Sequence, residues 1–265
     1  IDLMQMKEYS PVPIGINLLS GYVDSNLQLI YTQEADQKTK MVLSGNTSLR
    51  KFKLENKATK EPYNINFEQL DVMLIDVDLS GKKPAELVME LVGASLVHPG
   101  KKDPVISLPK LVINNIYIDS IQKNIVLGKV KLDQFKVSMR RKEDGQLNLI
   151  QNFMPYLVEK KMGQKKVEKE KEVGPEVYDA SPKGFGKLWA AEIESLQIVD
   201  AALNFEDLTL TKTAPVVVSP LNLNIYNIDF SGVDPLNMTL EATINKHGSI
   251  ETNGSLAWSP LAFNF

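Results

Sequence analysis

The sequence predicts a mainly β protein: a long antiparallel sheet extended by duplication, with one or two short helices. Apolar residues recur at every second position over much of the 265-residue chain, the spacing that gives a strand one apolar face and one wet face. One such pattern occurs twice. Leu70 to Leu91, LDVMLIDVDLSGKKPAELVMEL, superposes without a gap on Leu221 to Ala242, LNLNIYNIDFSGVDPLNMTLEA, at an offset of 151 residues. Val72 meets Leu223, Leu74 meets Ile225, Val77 meets Ile228, Leu79 meets Phe230, and Ser80-Gly81 meets Ser231-Gly232. A one-sided strand, a Ser-Gly turn and a second one-sided strand, recurring at long spacing, extend a sheet rather than close a compact core. Only one long segment has the helical period.

Element by element, residues 1 to 9 allow one or two helical turns with Leu3 and Met6 on one side, ended by Pro11 and Pro13. From Ile14 to Tyr31 the alternation runs in two phases, Ile16 and Leu18, then Leu27, Leu29 and Tyr31, and Gly21 near the change predicts a bulge or tight turn. Thr32 to Lys40 reads as a hairpin loop. Gly45-Asn46 reads as a turn between a strand at Met41 and Leu43 and another at Phe52 and Leu54. After the first repeat copy, the polar stretch HPGKKDP, His98 to Pro104, ends a strand. A ladder of short alternating pieces follows: Leu111 and Ile113, Ile116 and Ile118, Ile125 and Leu127, Val130 and Leu132, then Phe135, Val137 and Met139. The charged turn Arg140 to Gly145 closes that series.

Ile150, Phe153, Met154, Leu157 and Val158 fall at i, i+3, i+4, i+7 and i+8, predicting an amphipathic helix near Met154 to Met162 with Pro155 in its first turn. The Lys/Glu-rich stretch beyond it has no aromatic residue from Glu159 to Val177, so it buries too little apolar area to offset chain entropy and reads as a flexible linker. The predicted organisation is therefore a first β unit at 1–158, a charged linker at 159–186, and a second, truncated β unit at 187–265. Strand patterning resumes at Trp189 and Ile193 and shifts phase to Leu196 and Ile198.

A net charge of −3 removes the usual electrostatic basis for nucleic-acid binding. The absence of cysteine removes disulfides, thiolate metal sites and a cysteine nucleophile, which suits an oxidising compartment as well as a reducing one. No run approaches the roughly 20 apolar residues of a spanning helix. Ile1 carries neither a signal peptide nor an initiator Met, so the chain reads as cut from a longer one, with the alternating Leu261, Phe263 and Phe265 a strand stopped midway.

Several stretches carry a resemblance. WAAEIESLQIVDAALNFED from Trp189 to Asp207, the alternation after Pro220, the ending GSIETNGSLAWSPLAF, LVINNIYIDS, VKLDQFKVSMRRKEDGQLNL and the Lys/Glu-rich insert resemble the AsmA-like superfamily of Gram-negative envelope proteins, in its large branch of unknown function. The resemblance implies a twisted sheet curled into an open, taco-like groove. It also implies a periplasmic location within an inner-membrane-anchored protein, and a part in phospholipid transport or outer-membrane biogenesis alongside inner- and outer-membrane envelope proteins. It transfers no catalytic residue and no cofactor.

Candidate chemistry is sparse. His98 and His247 sit in polar turns and lack a fixed third ligand for a metal. Asp76 and Asp78 share one face of a regular strand, which suits calcium or acid-base work, yet the second copy has Asn227 in place of Asp76. Glu206-Asp207 is a further carboxylate pair. Arg140-Arg141, Lys160-Lys161 and Lys165-Lys166 are basic clusters able to attract anionic headgroups, although in a charge-rich run they also read as a solvated surface. Gly184-Phe185-Gly186 lacks the GK[ST] of a phosphate loop, and no G-x-S-x-G or H-E-x-x-H motif occurs. The expectation is therefore a non-enzymatic protein with no metal and no cofactor.

The apolar stripe is the remaining feature. One reading has it covered by a second layer as an ordinary core, giving a structural envelope scaffold. The other leaves it open to acyl chains, because the pattern supplies too little helix to roof a long sheet. The residues expected to face lipid are Leu70, Val72, Leu74, Val77, Leu79, Leu221, Leu223, Ile225, Ile228 and Phe230. A β-rich hydrolase is a third reading, resting on Asp76 and Asp78.

Overall fold

The computed structural model describes residues 1–5, 16–33, 39–56, 63–81, 83–148, 189–211, 214–230, 235–258 and 261–264. These build one curled sheet of twelve strands. The strands are β1 (Ile16–Gln33), β2 (Thr39–Asn56), β3 (Tyr63–Asp78), β4 (Ala85–Val97), β5 (Ile106–Asp119), β6 (Asn124–Asp133), β7 (Lys136–Arg141), β8 (Ala190–Asp207), β9 (Val216–Asp229), β10 (Leu236–Ile244), β11 (Gly248–Trp258) and β12 (Leu261–Asn264). Their order across the sheet is the chain order, with β7 standing in line with β6. β6 and β7 lie along β8 at one constant register, from Asn124 opposite Ala190 to Arg141 opposite Asp207, so they act as one interrupted strand.

The sheet is not wholly antiparallel, as the alternation had suggested. β6 and β7 run parallel to β8, and every other pairing is antiparallel. Parallel neighbours require a crossover connection rather than a hairpin, and here the connection runs from Lys142 to Trp189. The sheet is continuous across it. Two ion pairs tie the joint: Arg140 Nε to Glu206 Oε2 at 2.8 Å and Arg141 Nη1 to Asp207 Oδ2 at 3.4 Å. The predicted helix near Met154 to Met162, the linker and Gly184-Phe185-Gly186 lie outside the described residues. At the start of the chain, residues 3–5 form a single 3-10 turn whose Leu3 rests on Gly21, where β1 carries the expected bulge.

The repeat reaches further than its sequence suggests. The same 151-residue offset carries β2, Thr39–Asn56, onto β8, Ala190–Asp207, so three strands recur rather than two. Within the recurring hairpin, Asp76 has φ 46° and its counterpart Asn227 has φ 58°, a left-handed conformation that Asp and Asn tolerate better than most residues.

Left-handed residues explain the phase changes. At one level the ladders skip Lys51, Glu68, Gly93, Pro109 and Gln134 on successive strands, and Asp200 of β8 follows. Lys51, Gly93, Gln134 and Asp200 there have φ between 51° and 67°. Because the extra residue falls at the same level on each neighbour, pairing resumes in register beyond it. Pro109, which has no N–H to give, fits a position where the ladder is interrupted anyway. A second crease passes through Asn115, Gly128, Glu194 and Asn227 of β5, β6, β8 and β9. The predicted short strands around Leu111 to Ile118 are thus one strand, β5, with Asn115 at φ 56° inside it.

Gly45-Asn46 is likewise no turn but the middle of β2. Gly45 has φ 134°, and a Cβ there would stand 2.1 Å from the Asn26 carbonyl oxygen. Glycine is present because β1 approaches too closely for a side chain.

Candidate functional site: an apolar floor between two creases

Cross-strand neighbours in register point to the same face, so the pairing can be followed across the sheet residue by residue. One row reads Val23, Leu49, Leu70, Leu91, Leu111, Leu132, Ile198, Leu223 and Leu240, one residue from each of nine adjacent strands. Every member is apolar. At a strand spacing of about 4.8 Å the row is roughly 38 Å long, longer than the roughly 30 Å hydrocarbon core of a bilayer. A second row runs Val72, Met89, Ile113, Val130, Leu196, Ile225 and Met238, and a third Leu74, Leu87, Ile116, Leu127, Ile193 and Ile228.

The next residue along each strand faces the other way, and there the chemistry is reversed. Ser48, Asp71, Glu90, Val112, Lys131, Gln197, Asn224 and Thr239 form the matching outer row, polar at all but one position. Ser48 donates to Asp71 at 2.5 Å and Asn224 to Thr239 at 3.2 Å; Lys110 pairs with Glu90 at 2.7 Å and Lys131 with Asp133 at 2.8 Å. The two ion pairs are largely solvent-accessible and add little stability singly, and the two hydrogen bonds are part-buried. They lie on the face opposite the apolar row.

Among the described residues the apolar face is not sealed like a core. All nine members of the first row are half-buried, none fully so. In the other two rows only Ile113, Val130 and Ile228 fall to 7–8% exposure. Among the described residues a single large side chain, Leu236 at 1%, is wholly enclosed.

Of the residues expected to face lipid, Leu70, Val72 and Leu74 occupy the three rows on β3, and Leu223, Ile225 and Ile228 occupy them on β9. Val77 lies beyond the Asp76 break opposite Leu43, and Leu221 opposite Ala242. Leu79 and Phe230 lie just past their strand ends and are largely exposed, on the rim rather than the floor. Leu91 and Leu240, also in the first row, lie inside the sequence copies of the repeat, whereas Leu49, Leu111, Leu132 and Ile198 share that row with Leu70 and Leu223 although they lie outside both copies. Their signal was alternation alone.

The carboxylates have structural partners. Asp76 and Asp78 do not share a regular strand face, because Asp76 sits at a left-handed break. Asp76 accepts a hydrogen bond from Ser44 at 2.7 Å, and Asp78 accepts one from the Ser80 backbone N–H at 2.9 Å. Glu206 and Asp207 hold the parallel joint, as do Arg140 and Arg141 among the basic clusters. The Asp207 carboxyl lies below its ordinary pKa because the Thr209 hydroxyl and backbone N–H donate to it, with Arg141 adding to the effect. His98 and His247 lie in different turns, between β4 and β5 and between β10 and β11. Among the described residues no three His, Cys, Asp or Glu side chains gather where they could hold a metal ion, and no helix is long and apolar enough to cross a membrane. Glu192, Glu194, Asn227 and Asp229 line a shallow open depression beside Ile193 and Ile228.

Compared with family models, curated proteins and solved structures, the chain matches none.

Proposed function

We propose that this chain is a periplasmic, AsmA-like module whose apolar floor carries the acyl chains of phospholipid during transport or outer-membrane biogenesis, without covalent chemistry. The observation that carries the reading is the nine-strand row from Val23 to Leu240, apolar throughout and only half-buried, while the adjoining outer row from Ser48 to Thr239 is polar at all but one position. Each methylene taken from water contributes about 0.8 kcal/mol. A tail can therefore be held by length of contact alone, and no polar recognition motif is needed. The periplasmic location and the role between two membranes rest on the resemblance of Trp189 to Asp207 and the flanking stretches to the AsmA-like superfamily.

Native mass spectrometry of the chain purified in mild detergent tests the reading. Adducts of phospholipid mass are expected, and they should be lost when Leu111, Leu132 and Leu223 are changed together to Gln. An adduct-free chain would instead favour a structural scaffold whose apolar face meets protein.

A further inference from the structure

The two long edges of the sheet differ. At the edge where β3 ends and β4 begins, five large apolar residues are exposed among polar turn residues and the exposed Lys40 and Lys83: Tyr31, Leu79, Ile121, Trp189 and Phe230, with Ile121 at 69% and Phe230 at 64%. They are collinear. The Leu79 N–H donates to the Met41 carbonyl opposite Tyr31, Ala190 to the Lys123 carbonyl in the turn holding Ile121, and Phe230 to the Ala191 carbonyl beside Trp189. The opposite edge carries exposed Lys101, Lys102, Asp103, Arg140, Arg141, Lys246 and His247, with Leu210 and the strand-end Val216 as exposed large apolar residues.

We infer that the apolar edge inserts into the headgroup–acyl boundary of a phospholipid bilayer, laying the sheet along a membrane surface. Trp, Tyr, Phe, Ile and Leu are the residues such a boundary accepts. Here they sit at successive strand ends and turns along one edge. Insertion would leave the following turn donors paired, as turn donors on the opposite edge also are, where unpaired ones would be costly in a less polar medium. Asp119 Oδ1 accepts from the N–H groups of both Ile121 and Gln122, at 2.9 and 2.8 Å, and the Ser80 and Gly81 N–H groups are taken by Asp78. The inference rests on this edge and not on what fills the floor, so a lipid-free chain should still bind membranes.

Co-sedimentation with phosphatidylcholine vesicles tests it, since a lipid with no net charge excludes attraction by the charged edge. The full chain should sediment with the vesicles. Ile121→Asp with Phe230→Asp should weaken binding by about tenfold or more, whereas Leu210→Asp on the opposite edge should not. Ile121→Ser, which leaves the Asp119 turn intact, should give a smaller loss and separates insertion from misfolding. In a Trp258→Phe background, Trp189 fluorescence should be quenched by lipids brominated high on the acyl chain. A chain that stays in the supernatant, an equal loss with Leu210→Asp, or an unquenched Trp189 on bound vesicles would overturn the inference.

Discussion

The two copies of the repeat, β2–β4 and β8–β10, share a backbone plan and differ where their neighbours differ. Gly45 of the first copy corresponds to Leu196 of the second, Asp76 to Asn227, Ala85 to Leu236 and Asn56 to Asp207. The first copy lies against antiparallel β1, whose Asn26 carbonyl leaves no room for a side chain at position 45. The second lies against parallel β6 and β7, where Leu196 faces Val130 and completes the apolar floor. The stripe of alternate apolar residues is thus common property of the unit, and the departures from it are set by the strand next door.

Gly45→Ala should be the most damaging single change in this comparison. It combines an unfavourable φ of 134° with a backbone clash at 2.1 Å, a combination expected to cost about 4 kcal/mol or more. Leu196→Ala, at the equivalent position, removes only half-buried surface and should cost about 1–2 kcal/mol. Urea denaturation midpoints of the two variants measure the difference, and equal shifts would mean the neighbours do not matter.

A smaller effect sharpens the likeness instead. Asn227→Val and Asp76→Val each force a β-branched residue into a left-handed conformation, for a loss of about 1–2 kcal/mol. Asn227→Gly should be neutral within a few tenths of a kcal/mol. Thermal melts of the three variants check whether one backbone rule governs both copies.

The smallest expected effect separates the copies by pH. Asp207 is ionisable where the first copy has Asn56. Its folded pKa is depressed below 3.8, so whatever it contributes is fully present above that value and is lost as pH falls through the folded pKa. Thr209→Ala should raise the Asp207 pKa toward 3.8, read by NMR titration of its carboxyl carbon. No such response belongs to Asn56.

The strand faces were legible in the sequence because alternation reports one-sided burial directly, and the Ser-Gly turn made one hairpin recognisable twice. The creases were not. Period-2 alternation that changes phase looks the same whether a strand has ended or has passed through one left-handed residue, so Asn115 and Gly45 read as breaks inside strands that in fact continue. β2 and β8 escaped the sequence comparison because Gly45 aligns with Leu196 and their other residues diverge, while their common length of 18 residues is a property of the fold. The parallel joint left one trace, the long connection from Lys142 to Trp189, which a hairpin does not need. The floor itself followed from alternation, but its continuity across nine strands needed the register.

Two adjacent residues of β9 test the account most directly. A photocrosslinking side chain at Leu223 faces the floor, and one at Asn224 faces the polar outside. In cells, Leu223 should capture phospholipid and Asn224 should not. Capture of protein alone at Leu223, or equal lipid capture at both, would contradict an open acyl-chain floor.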